Sequence, residues 1–169
     1  MFLNTHSYHS LRYGTLSVEQ IVKQAHEMGI KTLALTDINT ITGIYDFKRE
    51  CEKYNIKPVI GIEVRKEGRL LYIAIAREFS GVGEVNKMLT AYNFGEKDLS
   101  NRAPEFKEVF VIYPLSNMPE ILKEYEFIGV REEEANLLIR PEKKSTLVKW
   151  WCFVPLLFGQ KKSITCTAF

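Results

Sequence analysis

Apolar and polar positions alternate with two different periods along the first part of the chain. Residues 17–20, Ser-Val-Glu-Gln, have the spacing of a capping box, in which Ser17 accepts from the amide of Gln20. The apolar residues that follow recur at helical spacing: Ile21, Val22, Ala25 and Met28. Residues 31–36 then form a near-continuous apolar run of strand length, which is typical of a parallel strand covered on both faces. The pattern predicts a helix that ends at Gly29, followed by a buried strand.

The same alternation continues to about residue 92. A second helix is predicted to be capped by Thr42, with an inner face of Ile44, Phe47, Cys51 and Tyr54. Strands are predicted over residues 2–5, 58–64 and 70–76, and the short turn 66–69 predicts a hairpin between the last two. A third helix is predicted over residues 82–92, with Val85, Met88 and Leu89 inward. Strands joined through helices indicate an α/β fold with a mainly parallel sheet.

Beyond residue 93 the pattern is less regular. It predicts strands over 108–113 and 125–130 and helices over 118–123 and 131–140. The segment 150–158 is apolar without alternation, and Pro155 would interrupt a helix there. We therefore divide the chain into a domain of residues 1–148 and an atypical tail of residues 149–169.

Composition excludes several classes of protein. The chain has 169 residues, 46% hydrophobic and 26% charged, as in one globular domain with a sizeable core. Lys plus Arg number 23 against 21 Asp plus Glu, so net charge gives no argument for nucleic-acid binding. The three cysteines form no C-x-x-C pair and predict the reduced thiols of a cytoplasmic protein. We expect no signal peptide and no membrane association.

Candidate chemistry lies at three predicted strand ends, which carry His6, Asp37 and Glu63. Imidazole and carboxylate groups together suit zinc, manganese or iron, so these residues could converge on a divalent metal. Each also has an ordinary interpretation: Asp37 as a turn or cap residue, Glu63 as a strand residue and His6 as a surface histidine. Spacing alone leaves both interpretations open.

Three motifs around these strand ends resemble a known family. They read His6-Ser-Tyr-His-Ser10-Leu-Arg-Tyr-Gly14, Leu33-Ala-Leu-Thr-Asp37-Ile-Asn39 and Ile56-Lys-Pro-Val-Ile-Gly61-Ile-Glu63. They are similar to the polymerase and histidinol phosphatase (PHP) domain, and more narrowly to the N-terminal PHP domain of bacterial DNA polymerase III alpha subunits. The match runs in order from Leu3 to about Ile139. The resemblance implies a PHP-type distorted (β/α)7 barrel, of which this chain holds the incomplete N-terminal part.

Three positions depart from the metal ligands of active PHP domains. Asn4 and Ile38 stand where those members have histidine, and Leu71 stands where a histidine often begins the fourth strand. Isoleucine has no lone pair, and a neutral amide is a much poorer ligand than imidazole. The resemblance therefore implies that His6, Asp37 and Glu63 form a vestigial, structural metal site with no catalytic residue. No cofactor is expected, and zinc or manganese is the metal that a residual site would take.

The resemblance implies a part in DNA replication. The chain would be a fragment of a bacterial DNA-directed DNA polymerase, a nucleotidyltransferase of the cytoplasm. Its partners would be the rest of the alpha subunit, the replisome and, in the intact enzyme, DNA. The palm domain with the catalytic carboxylates would lie beyond residue 169, so the chain alone is expected to be inactive. Two alternatives stay open: a stand-alone metal-dependent phosphoesterase that uses His6, Asp37 and Glu63, and a non-enzymatic interaction module.

The tail carries a separate hypothesis about the gene. Back-translation of residues 150–169 with freely chosen synonymous codons, read two nucleotides on, yields Val-Val-Leu-Cys-Pro-Val-Thr-Phe-Trp and further residues. That string resembles the expected family continuation better than the tail as written. We therefore interpret the gene as frameshifted near Trp150.

Overall fold

The computed structural model describes residues 3–131, residue 134 and the backbone of residues 150–152. Within these residues the helices are α1 (Val18–Glu27), α2 (Ile44–Lys53) and α3 (Phe79–Asn93), with a 3-10 turn at Leu115–Asn117. The strands are β1 (Thr32–Ile38), β2 (Lys57–Lys66), β3 (Arg69–Ala76), β4 (Val109–Pro114), β5 (Glu126–Val130) and β6 (Trp150–Cys152). The strands lie side by side in chain order in one sheet.

The sheet is mixed. The pairs β1–β2, β4–β5 and β5–β6 are parallel, whereas β3 runs antiparallel to both β2 and β4. The predicted hairpin is confirmed, and its turn residues Glu67 and Gly68 have φ of 52° and 79°, as a two-residue hairpin turn requires. The prediction of a mainly parallel sheet with one hairpin is therefore confirmed among the described strands, since three of their five pairs are parallel.

The α/β class is confirmed, and the sheet of the described residues is not closed, since β1 and β6 stand at its two ends. An open sheet agrees with the incomplete barrel that the resemblance implies. Helices cover one face: α1 and α2 pack around Leu33 and Leu35 of β1, and α3 packs around Ile62 and Val64 of β2. The other face carries a smaller apolar cluster: Leu3, Ala34, Ile73, Ile75 and Ile112.

The local sequence predicted the start of α1 correctly but not the start of α2. The capping box is confirmed: the Gln20 N–H donates to the Ser17 hydroxyl at 3.2 Å, and the Ser17 N–H donates to the Gln20 side chain at 2.9 Å. The predicted cap at Thr42 was wrong. The cap residue of α2 is Gly43, without a side-chain bond, and the Thr42 hydroxyl is bonded to Thr40 instead, at 2.8 Å.

Two predicted elements differ from expectation in the described part of the chain. The helix expected over 118–123 does not form, because Met118 precedes a proline and is extended, with ψ of 122°. Of the strand expected over 2–5, the described residues 3–5 form only a single bridge, at Asn4. The segment beside it still lies along β1, since the Thr36 N–H donates to the carbonyl of Thr5 at 2.9 Å.

The start of the predicted tail continues the sheet. Trp150 lies opposite Ile128 and Cys152 lies opposite Val130, in parallel register with β5. Most of the helix expected over 131–140, and the tail after residue 152, lie outside the described residues.

Candidate functional site

Glu63 is the centre of the site. It is fully buried near the end of β2, and it faces away from the helices because its neighbours Ile62 and Val64 face them. Its Oε2 accepts from Asn4 Nδ2 at 2.9 Å and lies 3.0 Å from His6 Nε2. Its Oε1 accepts from Arg65 Nε. Both carboxylate oxygens therefore have partners within this chain.

These partners decide the charge of Glu63. Burial by itself raises the pKa of a carboxyl group. The hydrogen bonds and positive charge from His6 and Arg65 outweigh burial, so the pKa of Glu63 lies below its ordinary value. At neutral pH the site contains a buried carboxylate anion with Arg65 as its counter-charge.

Asn4 uses both ends of its amide. Its Nδ2 donates to Glu63, and its Oδ1 accepts from the Thr36 hydroxyl at 2.8 Å. The Thr36 hydroxyl in turn accepts from the Thr5 N–H at 3.0 Å. The amide thus presents its donor end, which has no lone pair for a metal, to the carboxylate.

Asp37 has a different environment from Glu63. Side chains alternate between the two faces of a strand, so Asp37 lies on the same, helix-covered face as Leu33 and Leu35. Its carboxylate accepts from the Ser7 N–H at 2.7 Å, from the Ser7 hydroxyl at 2.6 Å and from the Ser10 hydroxyl at 2.6 Å. The Ser10 oxygen also accepts from the Ile38 N–H at 3.0 Å. Asp37 therefore fastens the loop of residues 7–14 to the end of β1.

Gly14 closes the same loop. A Cβ at this position would lie 1.8 Å from the carbonyl oxygen of Ser7, and the Gly14 N–H donates to the carbonyl of Ser10 at 2.9 Å. The spacing of Ser7, Ser10 and Gly14 in the first motif thus has a structural explanation, which spacing alone did not supply.

Arg65 is the site residue that the sequence analysis missed. Its Nη1 donates to the Tyr13 hydroxyl at 3.1 Å and to the carbonyl of Gly68 at 3.0 Å. The guanidinium carbon also lies 4.4 Å from the centre of the Tyr13 ring, in a cation–π contact. A signal was available, because residues two apart on a strand share a face and Arg65 follows Glu63 by two.

The structure brings together only part of the predicted metal set. His6 and Glu63 are in contact, whereas Asp37 is bound by the serines of the loop. Ile38 is paired with Glu63 in the sheet register. Leu71 is buried in the helix-side core, where the pairing of β2 with β3 shifts by one residue, so it does not reach the site. Among the described residues no group of three His, Cys, Asp or Glu is placed to hold a metal ion.

The donor chemistry does not fit the metal that the resemblance implies. A metal ion requires lone pairs, but the groups around the Glu63 carboxylate present N–H donors. The His6 ring nitrogen must carry a proton to bond to this anion. The residues present therefore suit a protein-internal network of hydrogen bonds and charge.

A cleft of about 450 Å³ lies elsewhere, between α3 and the loop that follows it. Tyr72, Met88 and Phe106 contribute apolar surface to it, and charged side chains of both signs line it, among them Lys87 and Glu84. None of the candidate site residues lines this cleft. The site around Glu63 and the cleft are therefore separate features of the described part of the chain.

Comparison with known proteins defines the family. Residues 3–126 match the PHP domain, and the chain belongs to that family. Curated relatives are DNA polymerases. The chain is 33% identical over 79 residues to a DNA polymerase III subunit alpha of Ureaplasma parvum serovar 3, a match that covers 47% of this chain and 8% of the relative. It is 30% identical over 95 residues to an error-prone DNA polymerase of Symbiobacterium thermophilum, covering 56% of this chain and 9% of the relative.

A third relative is the DNA polymerase III subunit alpha of Chlamydia muridarum, 38% identical over 77 residues, or 46% of this chain and 6% of the relative. In each of these three cases the match spans less than a tenth of the relative's length. The chain is thus homologous to a small part of much longer polymerases.

Solved structures show weaker likenesses. An amidohydrolase from Chromobacterium violaceum matches with a TM-score of 0.46 and 19% identity, over 56% of this chain and 34% of that chain. A protein described as a metal-dependent phosphoesterase, from Bifidobacterium adolescentis, matches with a TM-score of 0.44 and 11% identity, over 82% of this chain and 73% of that chain.

In the described part of the chain, every helix is too short or too polar to cross a membrane.

Proposed function

We propose that this chain is the N-terminal PHP domain of a DNA polymerase III alpha subunit, in which the domain serves as a scaffold and does not hydrolyse phosphate esters. The observation that carries the proposal is the pairing of Glu63. A hydrolytic PHP site would need carboxylates free to hold metal ions that activate water. Here both oxygens of Glu63 are bonded to Asn4, His6 and Arg65, and Asp37 is bonded to Ser7 and Ser10.

The scaffold role is a proposal about the intact enzyme. Its partners would be the remainder of the alpha subunit, the replisome and DNA, in the cytoplasm. Nucleotide transfer would belong to other parts of the polymerase, because the matched segment covers only 8–12% of the length of relatives such as the subunits of Ureaplasma parvum and Streptococcus pyogenes. His6, Asp37 and Glu63 would then be remnants of a ligand set that now stabilise the fold.

Hydrolysis assays on the purified chain test this function. The substrates are p-nitrophenyl phosphate and an end-labelled DNA strand, each with added manganese or zinc. We expect no metal-dependent hydrolysis above that of Glu63→Gln. The matched control is Glu50→Gln, which removes another buried carboxylate whose partners are on α2. Metal-dependent hydrolysis that persists in the control and is lost in Glu63→Gln and His6→Ala would establish the stand-alone phosphoesterase instead.

The nucleotide sequence tests the polymerase assignment independently. We expect the gene beyond codon 149 to encode the rest of the alpha subunit in a shifted frame. A downstream region that encodes no polymerase in any frame would contradict the assignment, whatever the hydrolysis assays show.

A further inference from the structure

The charge at Glu63 needs a partner. A fully buried carboxylate is costly unless a cation and hydrogen bonds compensate it. Arg65 supplies a permanent positive charge in direct contact with Oε1, because a guanidinium does not lose its proton in proteins. The histidine on the other oxygen supplies a hydrogen bond in either charge state. Arg65 therefore supplies the permanent charge that compensates Glu63, beside the hydrogen bond from His6.

Oxygen atoms surround the guanidinium of Arg65 as they would surround a bound metal ion. Oxygen atoms from three separate segments converge on it: the carboxylate of Glu63 in β2, the hydroxyl of Tyr13 in the loop and the carbonyl of Gly68 in the hairpin turn. The Tyr13 ring adds a further contact from the loop. A single side chain thus ties the loop of residues 7–14 and the hairpin to the buried carboxylate.

The backbone of Arg65 is held by contacts of its own, apart from those of its side chain. Asn39, at the end of β1, accepts from the Arg65 N–H at 2.9 Å and donates to the Arg65 carbonyl at 2.7 Å. The pairing of β2 with β3 also shifts at this point, between Val64 and Arg65. The extra residue is Leu71 on β3, since Val64 lies opposite Tyr72 and Arg65 opposite Leu70. The alternation of β2 is therefore kept, and Arg65 stays on the face of Glu63. The position of Arg65 is therefore fixed by its place on β2 and by the hydrogen bonds of Asn39.

From these contacts we propose that Arg65 is the resident cation of the site. Its guanidinium neutralises Glu63, fastens the loop to the sheet and keeps divalent metal ions away from the carboxylate. A metal ion that approached Oε1 would meet a fixed like charge at hydrogen-bonding distance from that atom. The inference does not depend on the polymerase assignment, since it concerns only the stability of this chain and its binding of metals.

A double-mutant cycle on the 169-residue chain, in buffer with a chelator, tests the charge pairing. The variants are Arg65→Met, Glu63→Gln and the double substitution, and the readout is urea unfolding. Breaking a fully buried ion pair from one side is strongly destabilising. Because the Arg65 side chain keeps 18% of its surface exposed, we expect a smaller effect for Arg65→Met, a shift of the unfolding equilibrium constant by about tenfold to a hundredfold. The double variant should be more stable than Arg65→Met, because it no longer buries an unpaired anion. Purely additive effects would overturn the proposal.

The matched control is Arg49→Met, which breaks an exposed pair with Asp46 on α2. It should change the equilibrium constant by less than about fivefold. An effect of Arg65→Met no larger than that of the control would also overturn the proposal.

Zinc titration tests the exclusion of metal. Asn4→His adds an imidazole beside His6 and Glu63, so the site then has three groups with lone pairs. We expect calorimetry to show zinc binding to the Asn4→His, Arg65→Met double variant and none to Asn4→His alone. Equal binding by the two variants, or no binding by either, would show that Arg65 is not what keeps metal out.

Discussion

The loop of residues 7–14 offers a sharp test of how this site is built, through the substitution Asp37→Ala. The Asp37 carboxylate accepts hydrogen bonds from the Ser7 N–H and from the hydroxyls of Ser7 and Ser10. All three residues are at most 2% exposed. Alanine would therefore remove the carboxylate and leave three buried N–H and O–H groups without their hydrogen-bond acceptor.

The size of the effect follows from these contacts. Hydrogen bonds to a charged group contribute about 1.5–3 kcal/mol each, and an unsatisfied buried donor costs a similar amount. The simple sum is an upper bound, because the loop can relax and admit water, and neighbouring contacts are not additive. We expect a loss of about 3–5 kcal/mol in the free energy of unfolding, a large part of the roughly 5–15 kcal/mol typical of a domain.

Urea unfolding in the presence of a chelator is the assay, since it separates a structural carboxylate from a metal ligand. If Asp37 served only as a metal ligand, it would have no metal to bind in chelator, and the substitution Asp37→Ala would leave the metal-free chain equally stable. The control is Asp46→Ala, which breaks an exposed pair with Arg49 and should cost less than about 1 kcal/mol. A loss below about 1 kcal/mol for Asp37→Ala would refute the reasoning.

Three further predictions concern pH, backbone space and the tail. The pKa of Glu63 is lowered from its ordinary 4.5, so the ionised carboxylate stabilises the fold fully above pH 4.5, and this stabilisation is lost as pH falls through the lower pKa of the folded state. When the free energy of unfolding is measured against falling pH, Glu63→Gln should lose less stability than the unchanged chain, and equal profiles would contradict this. Gly14→Ala should destabilise strongly in thermal melts, because the added Cβ would meet the Ser7 carbonyl oxygen at 1.8 Å; an unchanged midpoint would contradict that contact. Deletion of residues 153–169 should leave the thermal midpoint unchanged or improve solubility, whereas a cooperative loss of folding would show that this segment belongs to the core.

Local sequence determined the elements whose signals lie within a few residues. The capping box at Ser17 formed as predicted, because its two hydrogen bonds join residues three apart. The hairpin also formed, because the turn 66–69 is too short to join strands other than neighbouring antiparallel ones; Glu67 and Gly68 take the positive φ that such a turn requires. A local signal failed at Thr42, where a neighbouring residue competed for the hydroxyl group. There the helix starts one residue later, and Thr42 bonds to Thr40.

Sequence also determined one part of the candidate site, and the tertiary structure determined the rest. The sequence placed polar side chains at strand ends and identified the family, but it grouped Asp37 with Glu63. The tertiary structure separated them, because strand alternation directs Asp37 to the serines of the loop while Glu63 faces the opposite side of the sheet. Arg65 became a site residue only in the folded chain. Its partners are contributed by segments up to 52 residues away, and only folding brings those oxygens around one guanidinium.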